Sequence, residues 1–125
     1  MMRRMGAILC MTLCVTLAVA AASGSRWQQV PAREHARANP LAGDPEAATA
    51  GALVYREHCQ QCHKADARGD GRKRPALRGA RLRAASDGDI EWFLRQGDLG
   101  HEMPSWSSLP EAQRWQLVAF LRSIQ

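Results

Sequence analysis

The chain has 125 residues, 17 Lys and Arg against 12 Asp and Glu, a net charge of +5 and four cysteines. That length leaves room for one domain at most. The basic residues are not interleaved with stacking aromatics, which argues against a nucleic-acid partner.

The first 25 residues read as an export signal rather than as part of the domain. Arg3 and Arg4 precede an uncharged run from Ala7 to Ala22, and Ala18, Ala20 and Ala22 stand at A-x-A spacing near its end. The alternative is an uncleaved anchor over residues 7–22, because the run lies just below the usual spanning length. Both readings put the remainder outside the cytoplasm, in the periplasm, with membrane contact only if the segment is retained. Cys10 and Cys14 fall inside the apolar run as ordinary hydrophobes. The exported part then holds Cys59 and Cys62, and 15 Lys and Arg against 12 Asp and Glu.

Residues 26–43 mix charge, alanine and two prolines without periodicity and read as an extended leader. A domain is expected over residues 44–125. Asp44 is placed as an N-cap, with Pro45 at the first helical position and Glu46 in the first turn. Leu53, Val54 and Tyr55 give this helix an apolar side, and it is expected to run into the cysteine pair. The Gly- and Arg-rich stretch 64–83, containing Pro75, suits a loop. "SDGDIEWFLRQG" predicts a short helix capped by Ser86 or Asp87, with Ile90, Phe93 and Leu94 buried and Gly97 at its end. "DLGHEMPSWSS" is a second loop. "LPEAQRWQLVAFLRSI" predicts a closing helix with Leu117, Phe120, Leu121 and Ile124 on one face, widened by Trp115 and Val118. The fold class is all-α: three to four short helices joined by loops long enough to need something to wrap around.

"EHCQQCHKA", residues 57–65, carries the chemistry. Two cysteines three positions apart on a helical turn point the same way. Two thiols so placed can add to the two vinyl groups along one edge of a haem, and His63 can then reach the iron, the arrangement read as c-type haem attachment. A zinc site wants four ligands, and His35, His58 and His101 are scattered. A thioredoxin-like dithiol wants a βαβ setting, and no strand is predicted. The expectation is one covalent haem c. The sixth iron position falls to Met103, the one methionine of the exported part, with Pro104 stiffening the chain beyond it; His101 is the rival. A thioether is a soft neutral ligand, and a His/Met pair raises the reduction potential.

From Pro45 to Ile124 the chain resembles the class I monohaem cytochromes c. Gly51 with Tyr55 is similar to the family's first-helix pattern, in which the glycine lets the last helix cross closely. Pro75-Ala76-Leu77 resembles the family's Pro-x-Leu, Met103-Pro104 its sixth-ligand loop, and "RWQLVAFLRSI" its closing helix. The resemblance implies Cys59 and Cys62 as haem attachment points and His63 and Met103 as axial ligands. It implies that the Pro75 carbonyl orients His63, with Leu77 in support, and that Trp106 lines the pocket, although Trp106 could equally be core.

Eight basic residues between Lys64 and Arg83 face two aspartates, Asp66 and Asp70. They are either a solvated face, a docking surface for an acidic redox partner, or partners for haem propionates. "NPLAGDP" and "MPSW" are similar to segments of small cytochrome subunits that take electrons from periplasmic quinoprotein dehydrogenases. The expected function is one-electron transfer between a dehydrogenase-type donor and a respiratory acceptor such as a terminal oxidase, without catalysis by this chain, which could be a dehydrogenase subunit. The rival functions are a haem enzyme or gas-binding haem protein with a labile sixth ligand, and a disulfide-exchange protein.

Overall fold

A computed structural model describes residues 26–125; the expected export signal over residues 1–25 lies outside them. Six helices occur among the described residues: α1 (Ala32–His35), α2 (Pro45–His58), α3 (Gln60–His63), α4 (Ala80–Ala84), α5 (Asp87–Gln96) and α6 (Glu111–Ser123). Short 3₁₀ turns cover Arg26–Gln29 and Leu99–His101. Three of the six, α2, α5 and α6, are the helices the sequence pattern predicts. The others are single turns, too short to carry a period.

Local chemistry explains the boundaries. Asp44 accepts hydrogen bonds from the Glu46 and Ala47 amides at 2.8 and 3.3 Å, with Pro45 in the first turn of α2. Ser86 is the cap of α5: its hydroxyl accepts from the Asp89 amide at 3.0 Å while Asp89 accepts from the Ser86 amide at 2.8 Å, a reciprocal pair that satisfies two free N–H groups. Gly97 closes α5. α6 begins at Glu111, with Pro110 just before it.

The core lies where α2 and α6 cross, with α5 packed against α6. Val54 and Tyr55 from α2, Ile90 and Leu94 from α5, and Leu117 and Val118 from α6 are buried together. A Cβ on Gly51 would collide with the Gln116 carbonyl and the Phe120 Cβ, so the close approach of α6 to α2 depends on the missing side chain. One turn on, the Tyr55 and Phe120 rings meet at 5.1 Å.

Residues 26–43, aperiodic in sequence, are docked onto this core. The Trp27 ring stacks on Phe93, with centroids 4.6 Å apart and planes 6° apart. The Asn39 amide donates to the Trp115 carbonyl at 3.0 Å, and the Ser86 hydroxyl donates to the His35 carbonyl at 2.8 Å. His35, with a 63% exposed side chain, also lies 2.8 Å from Asp89 through Nδ1. The same segment completes an ionic cluster around Glu91, which is 0% exposed. Glu91 takes Arg114 at 2.7 Å, Arg37 at 3.2 Å and Arg95 at 3.5 Å, while buried Glu34 takes Arg95 at 2.9 Å. A buried carboxylate without such partners would be strongly disfavoured. Arg37 further lies 5.0 Å above the Trp115 ring and pairs with Glu111, whose carboxyl it holds below the usual range.

Candidate functional site

The helices and two loops enclose a cavity of about 650 Å³, within the range of roughly 300–1,000 Å³ typical of cofactor sites. Its lining is mainly apolar, with Leu82, Ile90, Leu94, Leu117 and Leu121 contributing from three helices. The C-x-x-C-H turn forms part of the wall. α2 ends at His58, Cys59 stands between α2 and α3, and the Cys62 and His63 amides both donate to the Cys59 carbonyl, at 3.2 and 2.9 Å. One backbone turn therefore brings Cys59, Cys62 and His63 to the cavity.

Cys59 is buried and Cys62 half-buried, and both are free thiols. Burial, reinforced by Cys62, pushes the Cys59 thiol up to about 12, so it is neutral near pH 7. Among the described residues no three His, Cys, Asp or Glu side chains are grouped to hold a metal ion.

His63 is buried, and its Nδ1 lies 3.0 Å from the Pro75 carbonyl oxygen. A carbonyl only accepts, so Nδ1 carries the proton and Nε2 keeps its lone pair. The loop that presents Pro75 is tied back along its length. The Gly69 amide donates to the His63 carbonyl at 2.9 Å, and the Leu77 amide donates to the Ala67 carbonyl at 2.8 Å. The Tyr55 hydroxyl donates to the Lys64 carbonyl at 2.7 Å, and burial pushes that hydroxyl up to about 12. Leu77 is half-buried against the core and also lines the cavity.

Met103 comes from the second loop. Its backbone pairs with Asp98 in both directions, at 2.8 and 2.9 Å, closing a tight hairpin over residues 98–103. Its side chain is half-buried, packs against the core and reaches the cavity. His101, on the tip of the same hairpin, has an 81% exposed side chain held by Asp98 at 2.9 Å. Trp106 is anchored by its amide to the Leu94 carbonyl at 2.9 Å and lies in the lining.

Three lining residues were given no role from the sequence. His58 is half-buried at the cavity wall with its ring 5.1 Å from that of Trp106; its place one residue before Cys59 is the signal that could have marked it. Trp27 reaches the cavity by stacking on Phe93, a contact with no local pattern behind it. Arg74 reads as one of many charges in the basic run, yet it spans from the Pro75 loop to the Met103 hairpin.

These residues suit a covalent haem: two thiols on one turn, an imidazole nitrogen with its lone pair free, a thioether, and an apolar enclosure of adequate size. Helices wrapped around such a cavity, with a C-x-x-C-H turn in its wall, define a c-type cytochrome domain. Residues 46–121 match the family described as cytochrome C oxidase, cbb3-type, subunit III, and the chain belongs to that family. No curated protein matches the chain. A domain of this class implies covalently bound haem c, points to electron transfer and implies redox partner proteins. Among the described residues no helix is long and apolar enough to cross a membrane.

Proposed function

We propose that the protein is a periplasmic one-electron carrier holding one haem c, attached by thioether links to Cys59 and Cys62. The observation that carries this reading is the 3.0 Å contact from His63 Nδ1 to the Pro75 carbonyl, which leaves Nε2 as the ligating nitrogen in the wall where the two thiols stand. When bound, the haem supplies an iron that cycles between ferric and ferrous states. His63 and Met103 would hold that iron. Pro75 fixes the imidazole plane and raises its basicity. Leu77 and Trp106 exclude water from the pocket, and low polarity around the iron favours its less charged, ferrous state. Both residues line the cavity, and Met103 is supported over His101 by burial: Met103 is half-buried against the core, whereas the His101 side chain is 81% exposed and bonded to Asp98.

The family's description names an oxidase subunit. We take a terminal oxidase as the acceptor class and a dehydrogenase, including quinoprotein dehydrogenases, as the donor class. Exposed Arg72, Lys73 and Arg81 at the cavity mouth would steer an acidic partner surface in a salt-dependent way.

The test is Met103→Ala in protein matured with its haem. The wild type should show the weak long-wavelength absorption of thioether-ligated ferric haem. The variant should lose that band, keep the haem attached, and bind CO rapidly when reduced. A wild type that lacks the band and binds CO at once would favour a haem protein with a labile sixth ligand.

A further inference from the structure

The geometry points to Arg74 as a positioning residue that fastens the Met103 hairpin to the loop supporting His63, so that one side chain holds both axial ligands in register. This rests on Met103 being the sixth ligand. The guanidinium reaches the Glu102 carboxylate through Nη2 at 3.0 Å and the His101 carbonyl through Nη1 at 3.4 Å. Its two acceptors are therefore consecutive residues immediately before Met103. On its own side Arg74 is followed by Pro75, whose carbonyl receives the His63 Nδ1 proton. The route from one proposed ligand to the other thus runs His63, Pro75, Arg74, Glu102, Met103, through two side-chain contacts and two peptide links.

Arg74 is itself held in place. Asp70 Oδ1 accepts from the Arg72 amide at 2.8 Å and from the Arg74 amide at 2.9 Å, and the Asp70 amide donates to the Arg74 carbonyl at 3.0 Å. Those amides, Arg74's first, hold the Asp70 carboxyl below its ordinary range. Gly69, at φ +64°, lets the chain turn where a Cβ would collide with the Arg74 carbonyl. The loop 70–74 is thus a closed cassette that aims one arginine at the hairpin.

The hairpin is closed by its own backbone bonds, and Arg74 adds a tie from outside it. Glu102 has φ +60°, the left-handed region a non-glycine residue seldom adopts, and a strained residue persists only where its surroundings hold it. Arg74 holds it by a charged contact and fixes the neighbouring carbonyl at the same time. A planar guanidinium suits this two-acceptor geometry and an ammonium does not. The Arg74 side chain is 26% exposed and that of Glu102 61%, so the pair is partly screened and its effect is modest.

The test is imidazole binding to the haem-loaded ferric protein, because imidazole gains access only when the sixth ligand leaves. Arg74→Ala should tighten apparent imidazole binding about five-fold and speed its association by a similar factor. Arg74→Lys should recover only part of the wild-type resistance, Glu102→Ala should lose part of it because the His101 carbonyl contact remains, and the double variant should match Arg74→Ala. Arg56→Ala, at an exposed charge on α2 that does not line the cavity, should leave imidazole affinity unchanged. A wild type with the long-wavelength band, together with unchanged imidazole affinity in Arg74→Ala, would overturn the clasp while leaving the axial pair standing. A wild type without the band would remove the Met103 assignment and the clasp with it.

Discussion

Gly51 carries the closest approach of α6 to α2, because any side chain there would occupy the place of the Gln116 carbonyl and the Phe120 Cβ. Gly51→Ala forces the helices apart and loosens Val54, Tyr55 and Val118 behind them. Overpacking of this kind costs about 1–3 kcal/mol. The thermal midpoint of the haem-loaded protein should fall by roughly 4–8 °C per kcal/mol lost. An unchanged midpoint would mean that α6 can slide without loss. At the same scale His63 shows how much a residue's surroundings add to its identity. Sequence spacing names it as a ligand candidate, but only the Pro75 carbonyl at 3.0 Å says which nitrogen keeps its lone pair. The motif was legible because its chemistry is local: three residues on one turn. Arg74 was not, because its meaning lies in a partner 28 positions away.

Among the elements, α2, α5 and α6 were legible for the same local reason. α2 and α5 have side-chain caps, and all three have an apolar face that repeats every three or four residues. The stretch 26–43 has neither, and its order comes from pairing with distant residues: Arg37 and Glu91 are 54 positions apart, Arg37 and Glu111 are 74. Glu91 reads in the sequence as a surface residue of α5, yet it is fully buried because three arginines from three parts of the chain converge on it. Removing it leaves the buried Arg114 guanidinium with the Leu109 carbonyl but no carboxylate, and takes one of the carboxylates that hold Arg37. Glu91→Ala should therefore cost about 3–5 kcal/mol, the usual penalty for breaking a buried ion pair from one side. Urea unfolding of the haem-loaded protein reads this directly. A loss below about 1 kcal/mol would mean that solvent replaces the carboxylate, in the manner of an exposed pair.

Across the whole molecule the pieces share one purpose, enclosure of a cavity of about 650 Å³. The long loops that looked expensive in sequence are its walls, and the docked segment 26–43 adds Trp27 to them. Fold class and attachment motif could both be read from residue order, because helix periodicity and C-x-x-C-H spacing are short-range. The enclosure itself could not, since it is made by contacts between segments with no common pattern. The most direct measurement is the intact mass, under denaturing conditions, of the protein matured in cells that attach haem. The account predicts the polypeptide plus one haem that resists extraction, lost when Cys59 and Cys62 are both replaced by alanine. A wild-type mass equal to the bare polypeptide would contradict it.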